Sequence, residues 1–152
     1  EANAQYDVAT LDSFTFEETT NITSIETVVN GWNGYVDING VTNYTISVYS
    51  TPDAAGTDLV GDVYSIDIVE PELPAWTGTG TLVKFNVSIS LPAGDYWFAV
   101  IPWNEFTVNG QTGIAASTLG DGSAYQANPD GGFGFGPTQA TTEDAAYRLL
   151  TD

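Results

Sequence analysis

The chain has 152 residues, a length that fits one domain with its own hydrophobic core. The sequence contains twenty Asp and Glu but only two basic residues, Lys84 and Arg148, which gives a net charge of −18. Two basic residues cannot form the basic patch that binding to nucleic acids or anionic membranes requires. Cys, His and Met are absent, which excludes disulfides and His- or Cys-based catalysis and disfavours zinc. We therefore expect one domain over residues 1–152, without membrane insertion, because no apolar run reaches the length of a membrane span.

Alternating apolar and polar residues, the pattern of half-buried strands, begin near the N-terminus. Residues 6–16 form the first predicted strand. Residues 1–16 are predicted to be either an edge strand or a segment that is exchanged with another subunit. An N-terminal strand of this kind can complete the sheet of a neighbouring subunit. Its candidate contact side chains are Tyr6, Val8, Leu11, Phe14 and Phe16.

Further strands are predicted at residues 22–29, 44–48, 59–68, 83–91, 96–101, 113–119 and 145–150. The segments 83–91 and 96–101 are expected to form a hairpin through a turn at residues 92–95. Because residues 96–101 are apolar on both faces, they predict a central strand, or one that is covered on its outer side. Eight or nine short strands predict an all-β fold, an antiparallel β-sandwich of jelly-roll type, with an up-and-down barrel as the alternative.

Turns are predicted at four Asn-Gly or Asp-Gly pairs that lie between predicted strands, since these pairs supply the positive φ of tight turns. Such pairs occur at Asn30-Gly31, Asn39-Gly40, Asn109-Gly110 and Asp121-Gly122. Residues 109–137 hold eight of the sixteen glycines and are predicted to form a long, ordered loop. Burial of Phe133 and Phe135 is expected to keep that loop in place.

Four motifs in the second half carry a family resemblance. They are residues 94–97 (GDYW), 109–114 (NGQTGI), 126–136 (QANP running into GFGFG) and 145–149 (AAYRL). In this order, over residues 59–150, the chain resembles secreted bacterial β-sandwich domains of unknown function found in proteins with PEP-CTERM-type sorting signals. The resemblance implies an exported domain of the cell surface or extracellular matrix, with no catalytic motif. The missing Met agrees with a processed, secreted chain.

Two tryptophans are candidates for stacking against a sugar ring. Trp76 lies in a Pro-rich segment and Trp103 precedes Asn104. Trp97, between Tyr96 and Phe98, is expected to pack in the core instead. An exposed aromatic on a β-sandwich would make the domain a carbohydrate-binding module.

Calcium is the metal that the sequence leaves open, since it needs only oxygen ligands. Asp121, Asn128 and Asp130 in the Gly-rich region are the candidate ligands, and turn formation is the alternative role of these residues. Asn21, Asn43 and Asn86 begin Asn-x-Ser/Thr sequons and are candidate glycosylation sites. Arg148 is expected to form a structural ion pair with one of the many acids.

The leading functional hypothesis is a non-catalytic, extracellular structural or assembly protein, such as a surface, matrix or filament subunit. Its partners would be copies of itself or other matrix components. The first alternative is a carbohydrate-binding module, supported by calcium, with polysaccharide as partner. The second is a glycoside hydrolase that uses two carboxylates, for which Glu105 is the first acid to inspect.

Overall fold

Antiparallel strands dominate the computed structural model, which describes residues 2–151. In chain order these strands are β1 (Ala9–Phe16), β2 (Thr20–Trp32), β3 (Val41–Tyr49), β4 (Tyr64–Ile68), β5 (Thr81–Leu91), β6 (Gly94–Asn104), β7 (Gln111–Ile114), β8 (Ala116–Ser117), β9 (Tyr125–Ala127), β10 (Thr138–Ala140), β11 (Asp144–Ala145) and β12 (Tyr147–Thr151). Two short helices, α1 (Pro52–Thr57) and α2 (Phe106–Asn109), and two 3₁₀ turns, Ala4–Tyr6 and Ile38–Gly40, lie outside the strands.

The strands form two main sheets. Sheet A has the order β10-β9-β1-β6-β3-β4, and sheet B has the order β12-β2-β5, with β7 continuing the edge of β2 beyond β12. A two-stranded ladder of β11 and β8 lies beside them. The all-β, antiparallel sandwich is confirmed, and within residues 2–151 the separate sheets favour it over a barrel. The jelly-roll connectivity stays a prediction.

The core lies between the two sheets. Alternate residues of β2, β3, β5 and β6 point inward and are buried, as the period of two along a strand requires. The largest of them are Ile25, Tyr44, Ile46, Phe85 and Phe98. Each large apolar side chain buried in this way stabilises the fold by about 1.5–3 kcal/mol.

The outer face of sheet A carries a second, smaller apolar cluster. Leu11, Tyr49, Ala99, Ile101 and Ala127 are buried there, together with Ala55 of α1. This cover explains why residues 96–101 are apolar on both faces, and the prediction of a central, outwardly covered strand is confirmed: β6 lies between β1 and β3. The helix α1 starts where Thr51 accepts a hydrogen bond from the N–H of Ala54.

The predicted hairpin of residues 83–91 and 96–101 is wrong. Both segments are strands, but β5 pairs with β2 in sheet B, whereas β6 pairs with β1 and β3 in sheet A. The link at Pro92 and Ala93 therefore carries the chain from one sheet to the other. Because β6 has a partner on each side, it has no open edge at which β5 could pair.

The predicted donor strand pairs within its own chain. β1 pairs with β6 on one side and with β9 on the other, so it is an interior strand of its own sheet. Leu11 lies in the outer cluster, while Phe14 and Phe16 pack against Phe98 in the core. Tyr6 and Val8 precede the strand and line a surface cleft. Exchange between subunits would have to break these internal pairings first.

Residues 109–137 are more regular than the predicted loop, since β7, β8 and β9 fall within them. Gly110 (φ 69°) and Gly122 (φ 73°) have the positive φ expected of their turns. Asn30-Gly31 is not a turn, because β2 continues through it and Gly31 pairs with Thr112 of β7. Phe133 is not buried as expected but is 43 % exposed.

Candidate functional site

Two neighbouring clefts open on the outer face of sheet A. Cleft 1 has a volume of about 440 Å³ and lies at the end of β6, beside the N-terminal segment. Cleft 2 has a volume of about 670 Å³ and lies beside β3, β4 and the end of α1. Asp7 and Trp103 line both, so the two clefts are adjacent.

Aromatic side chains form much of the wall of cleft 1. They are Tyr6, Trp103, Phe106 and Phe133. Tyr6 meets Phe133 edge-to-face with ring centroids 5.4 Å apart, and Phe133 stacks on Phe135 at 6.3 Å. Tyr6 is 46 % exposed, so its ring is available to a ligand.

Polar groups at the end of β6 and in β7 complete cleft 1. The Asn104 amide donates to the carbonyl of Gly110 (2.8 Å) and accepts from the Thr112 hydroxyl (2.6 Å). The Gln111 side-chain oxygen accepts from the Asn33 amide (3.0 Å). These bonds fix the side chains in place while leaving further donors and acceptors for a ligand. Glu105 also lines the cleft, and its carboxylate accepts from the Thr107 hydroxyl (2.9 Å).

Trp103 is held in a fixed orientation between the clefts. Its indole N–H donates to the Thr45 hydroxyl (2.8 Å), which in turn donates to the Asp67 carboxylate (2.6 Å). The chain of bonds crosses from β6 through β3 to β4 on the outer face of sheet A. With this partner the indole N–H can be buried while another part of the ring stays at the surface.

The opposite wall depends on Asn128, which is fully buried. Its amide donates to the carbonyls of Gln5 (2.9 Å) and Asp7 (2.8 Å), and its side-chain oxygen accepts from the N–H of Phe133 (3.0 Å). Gly132 adds a bond to the Gln5 carbonyl (2.8 Å), and a Cβ there would lie 2.3 Å from that oxygen. The N-terminal segment and the Gly-rich segment are thereby joined into one wall.

Cleft 2 is more polar and strongly acidic. Its lining includes Asp7, Asp58, Asp67 and Asp130, together with the hydroxyl-bearing Thr57 and Ser65. The Asp58 carboxylate accepts from the N–H of Val60 (2.9 Å). The only cations of the sequence, Lys84 and Arg148, lie in sheet B, so no basic side chain lines this cleft.

The two predicted sugar-stacking residues differ in their placement. Trp103 lines both clefts, whereas Trp76 lines neither. Trp76 is 48 % exposed in the segment between β4 and β5, where its indole N–H points to the Thr79 carbonyl (3.4 Å). Tyr6, Phe133, Asn104, Gln111 and Thr112 were not predicted as ligand-binding residues. The aromatic residues of the Gly-rich segment and the polar residues beside Trp103 were the available signals.

The predicted calcium ligands do not meet at one site. Asn128 uses its side chain in the bonds to Gln5, Asp7 and Phe133, and Asp130 lines cleft 2. Asp121 instead lies with Asp12 and Asp144, and oxygens of these three carboxylates fall within 4.8 Å of one another. Such oxygens are the donors that calcium prefers, yet acidic groups of this kind also occur without an ion, so calcium stays a prediction.

The carboxylates of this acidic group are strongly hydrogen-bonded. Asp12 accepts from the N–H groups of Ser13 and Ala145 (both 2.8 Å), and Asp144 accepts from Gly122 (2.9 Å) and Ser123 (3.3 Å). Burial raises the pKa of Asp12, and the nearby charges of Asp144 and Asp121 raise it further, against the effect of the two backbone bonds. The Ser123 hydroxyl lowers the pKa of Asp121.

Both cations lie in one cross-strand row on sheet B. Arg148 of β12 faces Glu26 of β2, which faces Lys84 of β5, which faces Glu72. Arg148 bonds to the Glu26 carboxylate, which is 10 % exposed, and Lys84 lies 3.4 Å from that of Glu72. The predicted ion pair of Arg148 is confirmed. Hydrogen bonding from Asn86 and the charge of Lys84 lower the pKa of Glu72.

The three sequon asparagines lie on the surface to different degrees. Asn21 and Asn86 are exposed, and Asn43 is partly exposed. The Asn86 amide donates to Glu72 (2.6 Å), so a glycan there would replace this contact. Glycosylation of these residues stays a prediction.

Comparison with known proteins adds no relative. No protein-family model, curated protein or solved structure matches this chain. Among residues 2–151, none of the helices combines the length and apolar character needed to cross a membrane. The resemblance of residues 59–150 to secreted bacterial domains stays an expectation. Functional inference therefore rests on the geometry of the clefts.

Proposed function

We propose that the protein is a non-catalytic, extracellular carbohydrate-binding domain whose ligand occupies cleft 1. The observation that carries the proposal is the combination of exposed aromatic rings, above all Tyr6 and Phe133, with the fixed amide and hydroxyl groups of Asn104, Gln111 and Thr112. Concave sites with apolar walls and a few oriented polar groups are typical of small-ligand binding.

The chemistry of a sugar matches both kinds of wall. The C–H groups of a pyranose ring pack against the electron-rich face of an aromatic ring. Its hydroxyls can donate to and accept from the Gln111 and Asn104 amides and the Thr112 hydroxyl, whose orientations are already fixed. Pre-arranged polar groups reduce the entropy that binding would otherwise cost.

Charge narrows the ligand class. The protein carries −18 at pH 7, and Asp7 and Glu105 are carboxylates within the lining of cleft 1. Polysaccharides with uronate or sulfate groups would be repelled, and long-range repulsion would slow their approach. A neutral polysaccharide is therefore the proposed ligand.

Retention on immobilised polysaccharides tests the proposal. We expect the protein to bind at least one of cellulose, xylan, mannan, amylose or β-1,3-glucan, and neither alginate nor polygalacturonate. Tyr6→Ser and Phe133→Ser should abolish retention, because both remove exposed cleft aromatics. Trp76→Ala is the matched control and should bind normally, since it removes an equally exposed ring outside both clefts. Absence of retention on every neutral polymer would refute the proposal.

The non-catalytic part of the proposal has its own test. The polymer that retains the protein is incubated with it, and newly formed reducing ends are measured. We expect none above a protein-free control. Release of reducing ends that disappears in Glu105→Gln would instead establish the carboxylate-based hydrolase considered from the sequence.

An assembly role remains a separate prediction. Because β1 pairs on both sides inside its own sheet, a donor-strand exchange would first have to break these pairings, whereas self-association through other surfaces would not. Any such association has to overcome the net charge of −18, so it would depend on salt or pH. Light scattering as a function of ionic strength measures it independently of sugar binding.

A further inference from the structure

We infer that the ligand is an extended polysaccharide chain that crosses cleft 1 and cleft 2, with one sugar unit packed against Trp103 between them. The inference rests on the proposed function and adds a second set of sugar contacts to it. It assigns cleft 2 as a binding site in its own right, for units of the same neutral chain.

The continuity of the two clefts is the first support. Trp103 and Asp7 line both, so the two clefts are neighbours and a chain that crosses Trp103 can reach from one into the other. A ligand confined to cleft 1 would leave the larger volume of about 670 Å³ beside it unused. A linear chain is the form of carbohydrate that can occupy both at once.

The shared walls are the second support. On one side, Asn128 ties the carbonyls of Gln5 and Asp7 to Phe133, and it precedes Pro129 and Asp130, which line cleft 2. One buried side chain thus fixes the walls of both clefts. On the other side, the bonds from Trp103 to Thr45 and from Thr45 to Asp67 join the Trp103 ring to the wall of cleft 2.

The chemistry of cleft 2 suits hydroxyl groups. The carboxylates of Asp58, Asp67 and Asp130 can accept hydrogen bonds from neighbouring sugar hydroxyls, and charge-assisted bonds of this kind are about twice as strong as neutral ones. The same carboxylates reject uronate and sulfate. Cleft 1 therefore supplies mainly aromatic contacts, and cleft 2 mainly hydrogen bonds, to one chain.

The experiment compares oligosaccharides of two and six units, cut from the neutral polysaccharide that retains the protein. Their dissociation constants are measured by calorimetry with the wild type and with Thr57→Trp. Thr57 is exposed and lines cleft 2, so the added indole would occupy part of that cleft and obstruct the sugar chain without disturbing the core. The matched control is Thr77→Trp, which adds the same ring at an exposed residue outside both clefts.

We expect the six-unit chain to bind the wild type at least tenfold more tightly than the two-unit chain. Thr57→Trp should reduce this ratio to near one while leaving the two-unit affinity unchanged, and Thr77→Trp should keep the ratio of the wild type. Asp130→Ala, a second cleft 2 variant, should lower only the six-unit affinity. The inference would be overturned if the wild type bound the two lengths with equal affinity, or if neither Thr57→Trp nor Asp130→Ala changed the six-unit affinity. The proposed function would stand in either case. Failure of every polysaccharide to bind would overturn both.

Discussion

The indole N–H of Trp103 donates a hydrogen bond to the hydroxyl of Thr45 (2.8 Å), and this hydroxyl donates a hydrogen bond to the carboxylate of Asp67 (2.6 Å). One threonine therefore sets the orientation of the aromatic ring that both clefts share. The Thr45 side chain is nearly buried, so neither partner can exchange it for water without a change in structure.

Replacement of Thr45 by valine keeps the shape of the side chain and removes both bonds. We expect the free energy of unfolding to fall by about 1–3 kcal/mol, because buried polar groups lose their partners. Polysaccharide affinity should fall about fivefold, which corresponds to about 1 kcal/mol. Thr15→Val is the control, since it removes a similar Thr–Asp bond (2.6 Å, to Asp95) on the same sheet outside the clefts. Equal binding by the two variants would contradict the orienting role of Thr45.

Asn128 should prove essential to the cleft walls. Asn128→Ala leaves the Asp7 carbonyl and the Phe133 N–H without the bonds that this side chain makes to them. We expect a loss of about 2–4 kcal/mol in the free energy of unfolding, measured by urea denaturation. Amide hydrogen exchange at Gly132 and Phe133 should accelerate more than exchange in β5. Unchanged exchange in the Gly-rich segment would show that other contacts hold the wall.

The two cations should contribute unequally to stability. Arg148→Gln leaves the mostly buried Glu26 carboxylate without its closest partner, and we expect a cost of about 1–3 kcal/mol. Lys84→Gln removes a pair with the more exposed Glu72, for which a smaller loss is expected because water screens the pair. Thermal unfolding of both variants at low and high salt separates these cases. A larger loss for Lys84→Gln would contradict the burial argument.

The buried carboxylate of Asp12 should make stability depend on pH. Its pKa is raised in the folded protein, whereas an unfolded aspartate titrates near about 3.9. Between these two values the folded state binds the proton more tightly, so this group's contribution to stability falls as pH rises through the window and stays low above it. The stability of Asp12→Asn relative to the wild type should therefore rise as the pH increases above about 3.9, and it should level off once Asp12 is ionised in the folded protein. Urea denaturation at several pH values measures the difference.

The same denaturation series, repeated in calcium chloride, tests for calcium binding. A cation held between Asp12, Asp121 and Asp144 would lower the pKa of Asp12 and reverse the slope of the difference with pH. An unchanged slope in calcium chloride at matched ionic strength would show that calcium does not bind at these three aspartates.

Local patterns in the sequence predicted which segments are strands better than they predicted which strands pair with each other. Alternation located β5 and the two-sided apolar character located β6, because both are properties of a strand's own faces. Pairing is decided by which edges remain open, and this depends on β1, β2 and β3 elsewhere in the chain. The hairpin prediction failed for that reason.

The candidate site shows the same division. Trp76 and Trp103 are alike as sequence features, and only the position of Trp103 at the end of a central strand brings it beside segments more than twenty residues away in the chain. The acidic group was beyond prediction, since Asp12 and Asp144 come from opposite ends of the sequence. The ion pair of Arg148 was predictable because either of only two cations among twenty acids has an acid nearby at almost any position.

The cross-strand row on sheet B places the only lysine of the sequence on the face of the sandwich opposite the clefts. A dye or a sensor surface attached to the Lys84 side chain would therefore lie away from the clefts. A protein attached through Lys84 would present its clefts to the solution.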